Sequence, residues 1–322
     1  MLSRLSGRSV LALSGSDSFT FLQGLISNDL TRLNNTKNML LKCVFLGSDG
    51  RIQADGLITR QADYYTVETG RGNLECLLTL LKRRKLSSKV EYKVIEDCSV
   101  YCKVPNWLLS NSRPGEAEEK PPNDPLDSTP EFTCDMPLLS RRYAVSSGLQ
   151  EVKDYSSTHR LYLALNGFGV TLIDELKPLK VLPQDLSLHK LGFISNNKGC
   201  YVGQEIMNRL LNRTLTHKYN LNYIIRGEHL EKETKDSIKE VPVNDIAIGR
   251  VLVERVGELS AMNILRRVIT HDVREVAHVD AESKVVPIVY YSTGFGLALL
   301  PQRGPVRNIV LVDGEKHMCY PV

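Results

Sequence analysis

No stretch of the 322-residue sequence approaches eighteen consecutive apolar residues, which excludes a membrane-spanning helix on length. Nor is there a long basic tract or an aromatic-basic repeat, and the net charge is a mild +4, so direct nucleic-acid binding through a charged groove is not expected. The densest basic run, Lys82-Arg83-Arg84-Lys85, reads as the solvated, dipole-favoured end of a helix. The seven cysteines, at 43, 76, 98, 102, 134, 200 and 319, contain no CxxC pair. Their odd number points to a reducing compartment and away from a disulfide framework. The histidines form no HxxxH or HExxH grouping, so no permanent metal site is predicted. No internal repeat of fixed period is present. What the chain does have is an ordinary balance of 42% apolar and 24% charged residues, enough for a sizeable core.

Along that chain, Ser16 or Asp17 can cap a helix whose apolar positions Phe21, Leu22, Leu25, Ile26 and Leu30 return at three- and four-residue steps. KCVFL at 42–46, a turn at Asp49-Gly50, IQADGLITR and DYYTVET predict an antiparallel meander. Residues 72–85 return to helical spacing through Leu74, Leu77, Leu78 and Leu81, and KVEYKVI alternates as a strand. DCSVYCKV reads as a strand that turns Cys98 and Cys102 to the same side as core filler. Hairpins alternating with helices suggest α+β layers rather than a doubly wound parallel sheet.

From about 106 to 137 the pattern collapses into SNSRPGEAEEKPPNDPLDSTPEF, whose apolar surface is too small to offset chain entropy; a disordered insertion is expected there. Structure resumes with YAVSS and a helix from Tyr155 to Leu165. After a charged stretch at 227–245, IGRVLVERV, ILRRVIT, PIVYYS, GFGLALL and NIVLVDG are short, closely spaced strands, as in a small β-barrel. The expected organisation is therefore an α+β region over 1–226, a linker over 227–245 and a C-terminal β-barrel domain over 246–322. At the N-terminus, Arg4 and Arg8 among Ser and Leu have a faint presequence character. SVLALSG already looks like a first strand, which leaves few residues for a targeting signal.

The most informative stretch is NNKGCYVGQEIMNR, 196–209. A single cysteine, Cys200, follows Lys198 by two residues, and Gly203-Gln204-Glu205 opens a helix on which Val202, Ile206 and Leu210 align. A nearby cation and helix N-terminus favour thiolate, the form that binds metal or attacks an electrophile. A lone cysteine is more often a small buried hydrophobe, and the residues by themselves favour that role. Ligand counting adds that an iron–sulfur cluster needs several thiolates, so any cluster here is shared or transient. A Cys-His hydrolase would need His159, His189 or His217 brought to Cys200 by the fold. In GSDGRIQADGLITR, 47–60, Asp49-Gly50 is a hairpin turn and Asp55 is a candidate catalytic or pterin-binding acid. Asn28-Asp29 either closes a helix or contacts a ligand.

KGCYVGQE, Lys198 to Glu205, resembles the signature of the YgfZ-type iron–sulfur cluster assembly factors, including the mitochondrial branch, within the folate-binding aminomethyltransferase superfamily. The resemblance extends to FLQGLISNDL at 21–30, FLGSDGRIQADGLITR at 45–60, LLTLLKRRKLSSKVEY at 77–92, HRLYLALNGFG from His159 and LPQDLSLHKLGF from Leu182, and more weakly to IGRVLVERV and GFGLALL. It implies a folate-binding aminomethyltransferase-like fold closed by a C-terminal β-barrel domain. It further implies a role in maturing [4Fe–4S] proteins in the mitochondrial matrix, with an A-type iron–sulfur cluster carrier and recipient [4Fe–4S] enzymes as partners. Cys200 becomes the functional thiol, as a transient ligand of a shared [2Fe–2S] cluster or as a redox thiol, in a setting formed by Lys198, Gly199, Tyr201, Gly203, Gln204 and Glu205. Asn28, Asp55 and Asp185 are the implied folate-cavity residues for a tetrahydrofolate-like pterin. Two departures stand out: Gln53-Ala54-Asp55 carries one acid where aminomethyltransferases carry a pair, and Asp185 stands where the family more often has Glu. An assembly factor is therefore expected rather than a turnover enzyme, and folate-dependent aminomethyl transfer through Asp55 is the alternative.

Overall fold

The computed structural model describes residues 2–104, 126, 128–135, 139–145, 152–154, 156–165, 173, 180–212, 214–216, 219–226, 276–281, 284–292, 295–301, 309–312 and 315–321. Its main unit is a five-stranded antiparallel sheet built from β2 (Arg8–Ser14), β3 (Leu41–Leu46), β4 (Ile52–Arg60), β5 (Tyr64–Gly70) and β6 (Glu91–Val94), in the order β3-β4-β5-β2-β6. Side chains alternate across a strand, and the observed register carries that alternation through the sheet. Leu11, Leu13, Cys43, Phe45, Ala54, Ile58 and Val67 share one face and form the core with Phe21, Leu22 and Leu25 of α1 (Ser18–Leu25) and Leu77 and Leu81 of α3 (Leu74–Lys85). A one-turn helix, α2 (Arg32–Asn35), lies between α1 and β3. Arg8, Asp55 and Glu68 fall on the opposite face, where Glu68 stands beside both Val10 and Leu57. Thus one sheet gives its apolar side to helices and its polar side to a site.

Meander, flanking helices and the 91–94 strand follow the sequence expectation. Asp17 does precede α1, but its carboxylate accepts the Lys89 N–H at 2.7 Å and makes no side-chain cap to the helix. The run at 82–85 forms the last turn of α3, as its charge suggested. A second sheet pairs β1 (Leu2–Arg4), β7 (Cys98–Lys103) and β8 (Arg142–Val145), burying Val100 and Cys102 with Leu5, Val10 and Val104. Arg4 therefore lies in a strand, and Arg8 is a part-buried ion-pairing residue.

The expected disordered insertion reaches too far. Residues 105–125 lie outside the described residues, but Phe132 is buried and exchanges backbone hydrogen bonds with Arg141, each 2.8 Å, while Thr133 accepts the Leu40 N–H at 2.7 Å. One large apolar side chain and four backbone bonds, the fourth from the Thr133 N–H to the Asn38 carbonyl at 3.0 Å, hold this end of the segment. Two helices complete the first region, α4 (Ser156–Leu165) and α5 (Gln204–Leu211). The C-terminal strands β10 (Val276–Ala281), β11 (Lys284–Ser292), β12 (Phe295–Pro301), β13 (Ile309–Val312) and β14 (Glu315–Pro321) pair antiparallel, with β9 (Tyr219–Arg226) between β12 and β14 and Val279 facing Val312. A boundary at 226 separates β9 from these sheet partners. PIVYYS, GFGLALL and NIVLVDG match β11, β12 and β13, whereas IGRVLVERV and ILRRVIT lie outside the described residues.

Candidate functional site

The loop that carries Cys200 is tied down at both ends. Ser27 links it to β3: its Oγ accepts the Val44 N–H at 3.0 Å and donates to the Phe193 carbonyl at 2.7 Å, and its own carbonyl accepts the Ser195 N–H. Asn28 gives both amide hydrogens to carbonyls, those of Lys42 at 2.7 Å and Gly192 at 2.9 Å, while its Oδ1 accepts the Asp29 N–H. Lys198 then reaches across to the end of α1. Its ammonium donates to the carbonyls of Gln23, Ile26 and Asn28 at 2.6, 2.7 and 2.9 Å, among them groups that a helix end leaves unsatisfied. The Tyr201 ring centroid lies 4.8 Å from the same nitrogen. Burial brings Lys198 down to about 8, against the pull of neighbouring Cys43 and Asp29.

This differs from the sequence expectation, which assigned the Lys198 charge to the thiol. All three ammonium hydrogens go to carbonyls, so Lys198 fixes the loop. On the other side of Cys200, Tyr201 is buried, which pushes its phenol up to about 12, and the Val202 N–H donates to the Gly24 carbonyl at 3.1 Å. Gly203 follows with φ +83°, a conformation that favours glycine, and a Cβ there would lie 2.8 Å from the Gly47 carbonyl oxygen. Gly50, φ +74°, leaves room in turn for Ile206. The two glycines seat the start of α5 on the β3–β4 turn. Gln204 and Glu205 begin that helix as expected, with Met207 and Leu210 as its buried face. Between these anchors Gly199 and Cys200 are exposed.

The other described thiols differ. Burial pushes Cys43 up strongly, Cys102 up to about 12 and Cys98 up to about 11. Cys134 is half-buried, and Cys76 is exposed on α3. Among the described residues no group of three or more His, Cys, Asp and Glu is gathered to hold a metal ion. His159 is buried, His189 is half-buried, and His217 lies outside the described residues.

Asp55 belongs to a second site, a cavity of about 260 Å³ lined by Arg8, Asp55, Leu57, Arg71, Asn73, Arg141, His159 and Phe193 among others. Its floor is a buried charge network. Asp55 Oδ1 accepts from Thr69 Oγ1, Gly70 N–H and Asn73 Nδ2 at 3.0, 2.9 and 3.1 Å, and its Oδ2 pairs with Arg8 at 2.7 Å. Glu68 accepts from Arg8 at 2.7 Å, Arg141 at 3.1 Å and the Tyr143 hydroxyl at 2.9 Å. Burial raises both carboxyl groups, but Arg8 for Asp55, and Arg141 with Arg8 for Glu68, outweigh it and hold both below the usual carboxylate range. Each acid thus stays ionised and fully engaged. Sequence reasoning found Asp55 and missed Arg8, Glu68, Asn73 and Arg141. The available signal was an acid inside the apolar alternation of YYTVETG.

Asp185 and Asn28 are not in this lining. Asp185 is buried, with Oδ2 on the Leu182 N–H at 2.8 Å and Oδ1 on the Tyr219 N–H at 3.1 Å, where it joins the 182–192 turns to the start of β9.

No family model matches the chain. It is 28% identical over 226 residues to the iron-sulfur cluster assembly factor IBA57 homolog, mitochondrial, of Mycosarcoma maydis, covering 65% of this chain and 53% of that one. The corresponding protein of Coccidioides immitis is 26% identical over 67% of this chain and 54% of its own length. The tRNA-modifying protein YgfZ of Enterobacter is 27% identical over 79% of this chain and 85% of its own. The chain is related to the IBA57 and YgfZ proteins. Among solved structures, the glycine cleavage system aminomethyltransferase T of Bartonella henselae superposes with a TM-score of 0.58 over 99% of this chain and 84% of its own, at 11% identity. At that identity the likeness speaks for the fold alone, which is an aminomethyltransferase fold. The chain spans about half the length of the IBA57 relatives it matches. No helix among the described residues is long and apolar enough to cross a membrane.

Proposed function

We propose that this protein is an iron–sulfur cluster assembly factor of mitochondria, and that Cys200 is the thiol through which it handles a cluster. The observation that carries the reading is the exposure of Cys200 on a loop fixed by Lys198 on one side and Tyr201 and Gly203 on the other. A single cysteine cannot complete the coordination of a cluster, so the partner supplies the remaining thiolates. That partner is an A-type carrier holding a [2Fe–2S] cluster, and the eventual recipients are [4Fe–4S] enzymes of the mitochondrial matrix. The names of the IBA57 relatives support the compartment and the cluster, and the KGCYVGQE motif supports the residue.

The same reading has the cavity take a tetrahydrofolate-type pterin. Its residues suit one: apolar walls from Leu57 and Phe193, a buried carboxylate and amide on the floor, and Arg71 exposed at the side. At about 260 Å³ it suits the ring end of such a ligand, with the glutamate tail outside. Folate-dependent aminomethyl transfer is the weaker reading, because both oxygens of Asp55 are occupied by donors and its carboxyl is held low, which leaves a poor general base. We also read β9 with the strands of 276–321 as one barrel domain, so that the charged 227–245 stretch falls in sequence between β9 and its later strands rather than before the domain.

The test is anaerobic mixing with a [2Fe–2S]-loaded A-type carrier, followed by visible absorption and complex formation, for wild type, Cys200→Ser and Cys76→Ser. Wild type and Cys76→Ser should give a new absorbing complex and Cys200→Ser should not. A complex that forms equally with Cys200→Ser removes the thiol from the mechanism.

A further inference from the structure

One residue of the cavity lining carries a buried acceptor that the charge network does not use. Asn73 sits at the start of α3, 1% exposed, where the chain leaves β5 through a 3-10 turn at Arg71–Asn73. Its Nδ2 donates to Asp55 Oδ1 at 3.1 Å. Its Oδ1 is buried and has no hydrogen-bond partner among the described residues. An amide can ordinarily be turned end for end, but not here. An ionised Asp55 only accepts, so the NH2 group must face it and the amide oxygen must be the remaining end. Buried acceptors are nearly always satisfied, and Asn73 is one of the residues that line the cavity, so a donor for its oxygen is sought in the cavity's occupant.

We propose that Asn73 is the residue that reads the ring of the cavity's occupant, its Oδ1 accepting an N–H of a pteridine while Asp55 and Arg8 hold the amide in register. The assignment rests on the pterin reading given above and adds to it a residue and a direction. Asp55, often the first suspect in such a site, acts through Asn73 as a positioning group, because its own acceptor sites are already occupied. The occupant must present a donor at this point. A ring bearing a carbonyl there would leave two acceptors facing each other, and one bearing an N-methyl group would leave the amide oxygen facing a methyl with no donor.

Titration of wild type, Asn73→Leu and Asn73→Ala with 5-formyltetrahydrofolate by calorimetry tests this. p-Aminobenzoylglutamate, which lacks the pteridine, is followed in parallel by ligand-observed NMR. Both variants should bind 5-formyltetrahydrofolate at least about tenfold more weakly than wild type, the scale of one lost buried hydrogen bond, while the tail fragment binds all three alike. Equal binding of 5-formyltetrahydrofolate by the variants overturns the role of Asn73 and leaves the pterin reading standing. Loss of the tail fragment together with the pterin means that Asn73 only shapes the cavity, which also overturns the assignment. Absence of 5-formyltetrahydrofolate binding by wild type overturns the pterin reading itself, and the pteridine contact with it.

Discussion

Replacing Glu68 with Gln removes one charge from a site where two acids and two guanidinium groups balance. Glu68 is wholly buried on β5 and holds Arg8 at 2.7 Å and Arg141 at 3.1 Å. Arg8 keeps Asp55 after the substitution, so the burden falls on Arg141, which also donates to the Ser140 carbonyl. Gln also turns either an oxygen or an NH2 group towards two cations and cannot accept from both as a carboxylate does. Breaking a buried pair by removing one partner costs about 3–5 kcal/mol, and Glu68→Gln should lower the unfolding free energy in urea, read by circular dichroism at pH 7, by that amount. The decisive comparison is Glu68→Gln with Arg141→Gln. Neutrality is restored in the double variant, so its loss should fall short of the sum of the singles by about 2–3 kcal/mol. Lys103→Ala is the surface counterpart: Lys103 and Glu131, 54% and 24% exposed, should be worth less than about 1 kcal/mol. Additive losses for Glu68 and Arg141, or a Glu68→Gln cost no larger than that of Lys103→Ala, would refute the picture of one charge-balanced network.

Gly203→Ala should cost about 2–4 kcal/mol in the same assay, from the left-handed backbone and from a Cβ placed 2.8 Å from the Gly47 carbonyl; a loss under about 0.5 kcal/mol would mean that α5 seats with room to spare. Lys198→Met strips one charged donor from three carbonyls, and should cost about 1.5–3 kcal/mol and speed hydrogen exchange at Val202, which bonds the same helix end; unchanged exchange there would show the lysine to be idle. Asp55 and Glu68 both titrate below their unfolded values of about 3.9 and 4.3, so their contribution is present above those values and is lost as pH falls through the folded ones. The urea midpoint should therefore hold from pH 7 to about 5 and fall below about pH 4, less steeply in Glu68→Gln/Arg141→Gln, and equal slopes would exclude the network as the source.

Elements with one buried face were readable because burial writes a period into the sequence. α1, α3 and β3 to β5 follow from Leu, Ile, Phe and Val placed at helix or strand spacing, and α5 follows from the glycine that precedes it. Partners far apart in sequence were not readable. Nothing in RSVLALS tells that Arg8 faces Asp55, because the contact depends on β2 lying beside β5 and on which face each strand turns. Lys198 was misassigned for the same reason: its long stem lets the ammonium choose carbonyls on α1 over the adjacent thiol. Asn28 and Asp185 were assigned to a folate cavity, yet their side chains bond backbone groups outside the lining of the Asp55 cavity, a use that composition does not distinguish from ligand binding. β9 was missed because YNLNYIIR follows the motif helix closely and gains its partners only from strands at 295–301 and 315–321.

The distribution of thiols bears on why the proposed function would fall to Cys200. A cysteine that passes a cluster must be deprotonated when it binds and reachable by the partner's ligands. Cys43 and Cys102 meet neither need, since burial both hides them and holds their protons, and half-buried Cys98 holds its proton as well. Cys76 is reachable, but it stands in the first turn of α3 among the exposed Glu75 and Thr79, outside the motif that the resemblance marks. At Cys200 the backbone is irregular and yet held in place, with a lysine anchor before the thiol and a glycine-seated helix after it. Anchors of that kind stabilise nothing at the cysteine itself. They remove the entropy that an exposed loop would otherwise lose on forming a shared, geometrically demanding coordination sphere, so the cost of ordering is met during folding and not at the encounter with a carrier.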